Sequence, residues 1–120
     1  MDVTQIRQWL RNFFSTYNIP VSVDDDGKVL NKPIYAEVFV DVSSNLNDTF
    51  TGQKKKVLFT IDINIYSSRP YDISDLKSAI MNLNDNAIPT VTIEAITFRR
   101  VDQSPSYNQW NIGIDVSYLT

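Results

Sequence analysis

At 120 residues, 42% of them apolar and 21% charged, the chain fits a single domain spanning residues 1–120, large enough to bury a core without staples. It holds no cysteine and no histidine, which excludes a disulfide framework, thiolate chemistry, the Ser-His-Asp and Cys-His catalytic sets and the usual zinc sites within this one chain. A net charge of −3 argues against generic attraction to nucleic acid or an anionic membrane. No apolar run approaches the ~18 residues that span a bilayer, and no apolar signal core opens the chain, so the protein is expected to stay in the compartment where it is made.

Asp2 to Tyr17 reads as the first helix. Val3, Ile6, Trp9, Leu10, Phe13, Phe14 and Tyr17 fall within an arc of about 140° at helical spacing, a core-facing stripe. Asp2 and Gln5 resemble a capping box, and Asn18 with Pro20 stops the helix. Ile19 to Pro33 is irregular. Within it, Asp24-Asp25-Asp26-Gly27-Lys28 reads as a solvated turn. Against a calcium-loop template, the position of the bidentate Glu falls on Pro33, so the template fails at its strongest ligand.

Ile34 to Val42 alternates as a strand, with Ile34, Ala36, Val38, Val40 and Val42 on one face and Tyr35, Glu37, Phe39 and Asp41 on the other. Its expected hairpin partner is Val57 to Tyr66. There Phe59, Ile61, Ile63 and Ile65 face the core, and Leu58, Thr60, Asp62, Asn64 and Tyr66 face outward. The stretch between them, Ser43 to Lys56, reads as a long polar loop with Phe50 as an apolar anchor and Lys54, Lys55 and Lys56 at its end. Ser67-Ser68-Arg69-Pro70 breaks the strand. A second helix is expected from Tyr71 to about Leu83, with Ile73, Leu76, Ile80 and Leu83 apolar. Thr90 to Arg99 is the third strand, with a phase slip that predicts a bulge near Ala95-Ile96. Asp102 to Tyr107 reads as a loop. Gln109 to Leu119 is the last strand, with Ile112, Ile114, Val116 and Tyr118 inward.

The order α-β-β-α-β-β predicts an α+β fold: a two-layer sandwich in which two helices cover one face of a four-stranded, mostly antiparallel sheet. The strands before and after the second helix are expected to run parallel through a right-handed crossover. No internal repeat or linker interrupts it.

Little here points to catalysis. The three glycines, Gly27, Gly52 and Gly113, are scattered, so no phosphate-binding loop exists. Glu37, Asp41, Asp62 and Asp115 share the outward sheet face. As a wet face they need no function; as a metal or acid–base site they lack a second shell at fixed spacing. Lys54–Lys56 and Arg99-Arg100 are the basic features open to a nucleic-acid reading, which the acidic balance opposes. Tyr35, Phe39 and Tyr66 are aromatic rings on a polar face, a pattern that often marks a protein contact.

The layout resembles the tail-terminator, or tail-completion, proteins of long-tailed bacteriophages. The resemblance runs through most of the chain. It rests on the opening helix at Ile6–Tyr17, the hairpin with an extended connection at Ile34–Tyr66, and the strand-to-helix passage INIYSSRPYDISDLKSAI. It also rests on the closing hairpin IEAITFRRVDQSPSYNQWNIGIDVSY, in which Asp102, Tyr107 and Asp115 stand at comparable places. The Ile19–Pro33 segment departs from the pattern. The resemblance implies a structural virion protein, made in the host cytoplasm and carried in the tail or neck. It implies a ring, usually of six copies, at the head-proximal end of the tail. Such a ring stops tube polymerisation and joins the tail to the head. Its partners would be further copies of itself, the tail tube protein and the head–tail connector, with DNA only passing through the lumen. No enzyme activity, catalytic residue, metal or cofactor, and no membrane contact, is implied. The interface residues expected on this reading are Phe50, Lys54, Lys55, Lys56, Tyr35, Phe39 and Tyr66. Two other classes stay open: a small nucleic-acid-binding or other assembly module, and a carboxylate-dependent metal enzyme.

Overall fold

The computed structural model describes residues 3–24, 33–51, 54–67, 74–84, 87–104 and 107–119, with side chains described for these except 41–51, 54–56, 100–104, 107–108 and 119. In chain order the elements are helix α1 (Val3–Thr16), strands β1 (Val21–Val23), β2 (Ile34–Thr51) and β3 (Lys54–Ser67), helix α2 (Ser74–Met81), and strands β4 (Thr92–Ser104) and β5 (Tyr107–Leu119).

They form a five-stranded mixed sheet in the order β1-β2-β3-β5-β4. This corrects the expected four-stranded sheet and its α-β-β-α-β-β order. The added strand is Val21-Ser22-Val23, which pairs parallel with Ala36, Glu37 and Val38. Three residues are too short for alternation to stand out, and the strand is held from both ends. Ala36 N–H donates to the Pro20 carbonyl at 2.9 Å, and Asp24 N–H donates to the Val38 carbonyl at 2.7 Å. The pairs β2–β3, β3–β5 and β4–β5 are antiparallel. β3 and β4 therefore run parallel but are not neighbours, because β5 lies between them.

α1 ends through backbone capping. Asn18 takes a left-handed φ of 57°, and Ile19 N–H donates to the Phe14 carbonyl at 3.1 Å, the wrap-around bond that closes many helix ends. Asp2 and residues 71–73, where helix-start features were expected, lie outside the described residues. α2 ends at Met81, two residues before the expected Leu83. There the Asn82 side chain donates to the Ser78 carbonyl at 2.8 Å, competing with continuation of the helix.

One apolar cluster holds the molecule together. Ile6, Leu10 and Phe14 of α1 and Leu76 and Ile80 of α2 join Ala36, Val38 and Val40 of β2, Phe59, Ile61, Ile63 and Ile65 of β3, and Trp110, Ile112, Ile114 and Val116 of β5. The stripe on α1 is divided. Ile6, Leu10 and Phe14 are fully buried, whereas Trp9, Phe13 and Tyr17 are half-buried against the cluster. Phe13 stacks on Trp9 at 5.1 Å and tilts against Tyr17 at 5.4 Å. Positions 9, 13 and 17 form the next i, i+4 row round the helix, at the margin of the core.

The largest departure from the sequence reading is at Ser43 to Lys56. This is not a loop. β2 runs on to Thr51 and β3 begins at Lys54, with Phe50 opposite Lys55 and Thr51 opposite Lys54. Register shifts between Asp41 and Asn45 and between Leu46 and Phe50 take up the extra residues of β2, as bulges do. The last described residue of β5, Leu119, pairs with Lys56; past that row Phe50 pairs with Lys55 and Thr51 with Lys54, and these pairs are the β2–β3 arm. The molecule measures 53 × 25 × 22 Å. The long dimension is close to the span of a strand as long as β2 at about 3.3 Å per residue.

The second expected loop, Asp102 to Tyr107, is also largely strand. Asp102, Gln103 and Ser104 pair with Gln109, Asn108 and Tyr107; residues 105 and 106 lie outside the described residues. The bulge in β4 falls between Ile93 and Ala95, slightly before its expected place. It leaves both Ile93 and Ile96 half-buried on the core side.

Candidate interaction surface

The core covers one face of the sheet. The other face is built from the alternate residues of β2, β3 and β5, joined by β4, and the registers fix its rows. Tyr35, Tyr66 and Gln109 form one row. Glu37, Asn64, Asn111 and Arg99 form the next. Phe39, Asp62, Gly113 and Thr97 follow, and then Asp41, Thr60, Asp115 and Ala95.

The aromatic part lies on the β2 side. Tyr35 and Tyr66 are direct register partners, and their rings stack at 5.1 Å and 25°. Cross-strand aromatic pairs of this kind stabilise a sheet by about 0.2–1 kcal/mol. Phe39, four residues along the same strand, is 37% exposed, with Glu37 between it and Tyr35.

The polar part is tied together across strands. Asn111 is its hub: its amide donates to Asp62 at 2.7 Å and to Asn64 at 3.0 Å, and its oxygen accepts from the Arg99 guanidinium at 3.0 Å. Thr60 donates to Asp115 at 2.8 Å, and Ser117 donates to Glu94. Among the described residues the face carries the carboxylates Glu37, Asp62, Glu94 and Asp115 against the single guanidinium of Arg99, so it is acidic. Gly113 lies at its centre. A Cβ there would approach only the Thr60 methyl, at 3.9 Å, so the face dips beside Asp62.

This placement bears on the chemistry considered from sequence. The registers step Glu37, Asp62 and Asp115 diagonally from strand to strand, a spacing of about 7–8 Å for diagonal neighbours. Asp62 and Asp115 already accept hydrogen bonds from Asn111 and Thr60. No group of His, Cys, Asp and Glu suited to a metal ion occurs among the described residues.

The expected interface residues divide into two groups. Tyr35, Tyr66 and Phe39 come together on the outer face. Phe50, Lys54, Lys55 and Lys56 lie on the paired strands at the arm end of the sheet. Along β3, Lys55 is seven residues from Asp62, the partner of Phe39, and eleven from Tyr66, about 23 and 36 Å at strand rise. Within one copy the two groups cannot form a single patch.

Sequence reasoning missed one polar node. Asp24, read as part of a solvated turn, has a left-handed φ of 52°. Its carboxylate accepts from Val40 N–H at 2.7 Å and pairs with the Arg7 guanidinium of α1. It thereby satisfies the β2 donor next after the end of β1 and ties the sheet edge to α1. The acidic run pointed to this position, but its partners are 16 and 17 residues away in sequence.

No family model matches the chain, and neither does any curated protein. Several solved structures match; one of them is similar over 100% of this chain and 96% of its own, with a TM-score of 0.58 and 11% sequence identity. Its designation carries no functional description. At that identity the likeness concerns the fold alone.

Proposed function

We propose that this chain is a ring-forming structural subunit of the tail-completion type. It would sit at the head-proximal end of a long phage tail, capping the tube and presenting its other side to the head connector. The observation that carries this reading is the continuous β2–β3 hairpin, paired to its end at Thr51 and Lys54 where an open connection was expected. Open strand edges also favour addition of another chain. The uncovered outer face, with its aromatic group at Tyr35, Phe39 and Tyr66, supplies a second surface for assembly.

The arm gives the reading a direct test. Joining the register partners Leu46 and Val57 through an Asn-Gly turn removes residues 47–56 and leaves the core rows intact. The shortened protein should fold, with a melting temperature close to that of the parent. In particles carrying it, tails should be overlong or should fail to join heads, as counted by electron microscopy. Normal-length, infectious particles would contradict the proposal.

A further inference from the structure

β4 ends the sheet order. One of its sides pairs with β5, and the other has no strand partner among the described residues. Register shifts stand between Ile93 and Ala95 and between Arg100 and Asp102; between them, Ala95 to Arg100 pair with β5 without interruption. Bulges, prolines and lysines are the usual means of blunting such an edge. This six-residue span contains none of them, and its two charges, Arg99 and Arg100, stand together at one end. Along it, Ile96 and Phe98 are half-buried on the core side, while Ala95, Thr97 and Arg99 are exposed on the outer side. Glu94, at the bulge, is also exposed and accepts from Ser117.

The span is complementary to itself when reversed. A two-fold axis through the sheet at Thr97 sets a second copy antiparallel, with Thr97 opposite Thr97, Ile96 opposite Phe98 and Ala95 opposite Arg99, each pair on one face. The apolar pair is made twice and carries the core side across the junction. On the outer side the small Ala95 leaves room for the arginine opposite it, and the Glu94 carboxylate at the adjoining position meets that guanidinium. An axis one residue further on, at Phe98, would instead set Ile96 opposite Arg100.

We infer that β4 pairs antiparallel with β4 of a second copy of this chain, through Ala95 to Arg99 with Thr97 on the axis, so that two sheets become one. This goes beyond the ring reading. A two-fold contact closes on itself and does not propagate round a ring, so the pairing belongs to the chain free in solution, where it covers the open edge.

The absence of cysteine makes the test clean. Directly opposite residues of an antiparallel pair have Cα atoms about 4.5–5.5 Å apart, within the reach of a disulfide. Under mild oxidation most of the Thr97→Cys protein should therefore become a covalent dimer on a non-reducing gel. Arg99→Cys alone should stay monomeric, because its two copies lie about 13 Å apart along the strands, and Ala95→Cys alone should do the same. An equimolar mixture of those two variants should cross-link. In sedimentation velocity the parent should run as a dimer. Thr97→Lys sets like charges opposite each other on the axis and should run as a monomer, with circular dichroism to check that it is folded. A parent that sediments as a monomer at every concentration, a Thr97→Lys protein that remains a dimer, Arg99→Cys alone cross-linking as fully as Thr97→Cys, or a mixture that fails to cross-link would overturn the inference. The experiment uses purified protein alone. A failure here therefore removes this pairing and leaves the position of the chain in particles to be decided separately.

Discussion

Phe14→Ala and Ile63→Ala should each destabilise the fold by several kcal/mol, about 3–5 for the ring and 2–5 for the aliphatic chain. Phe14 has no exposed surface and Ile63 is 2% exposed. They belong to the same cluster, reached from α1 and from β3. Truncating either leaves a cavity that secondary-structure elements on both sides cannot easily close. For a domain of this size, each kcal/mol corresponds to roughly 3–5 °C in melting temperature, so a fall of at least about 6 °C is expected for Ile63→Ala and at least about 9 °C for Phe14→Ala by thermal unfolding. Phe13→Ala is the internal comparison. Its ring is half-buried, and its losses are largely the contacts with Trp9 and Tyr17, so its cost should be clearly smaller. Equal effects at Phe13 and Phe14 would mean that the row at 9, 13 and 17 is as deep in the core as the row at 6, 10 and 14.

The second large effect is expected at Asp24. Asp24→Ala removes the acceptor for Val40 N–H and the partner of Arg7 in one step. A hydrogen bond to a charged group contributes about 1.5–3 kcal/mol. The Arg7 side chain is 40% exposed and that of Asp24 is 23% exposed, so the ion pair itself adds less than about 1 kcal/mol. The expected loss is about 2 kcal/mol in chemical denaturation. Asp24→Asn keeps an oxygen acceptor and a residue tolerant of the left-handed region, and should cost about half as much. Arg7→Ala should cost least of the three. If Asp24→Ala unfolds like the parent, the carboxylate contributes nothing to joining α1 to the sheet edge.

The parts of the fold legible in the sequence are those where burial imposes a period. Ile61, Ile63 and Ile65, and Ile112, Ile114 and Val116, alternate because one face of each strand meets the core, and the structure buries all six. The phase slip in β4 is legible for the same reason: a bulge moves Ile96 back onto the core side. The arm was not legible. Ser43-Ser44 and Asn47-Asp48-Thr49 carry little strand propensity and fall where the register with β3 shifts, while the pairs at Asn45, Leu46 and Phe50 hold the strand on either side of them. β1 was missed because its parallel partner lies beyond an intervening segment. Asp24 was missed because a side chain that closes a strand edge looks, in sequence, like any acidic turn residue. Of the surface residues, Tyr35, Phe39 and Tyr66 were legible from alternation. That Asn111 ties Asp62, Asn64 and Arg99 together depended on register, which one strand's sequence does not contain.

On the proposed function, copies of this chain close into a ring on the axis of a phage tail. Electron microscopy of intact particles, with the head-proximal end of the tail reconstructed, tests it most directly. Several copies of this five-stranded fold are expected around the axis, between the last ring of the tube and the connector, with the β2–β3 arm of each in contact with a neighbour. Absence of the chain from the particle, or a single copy away from the tail axis, would contradict it.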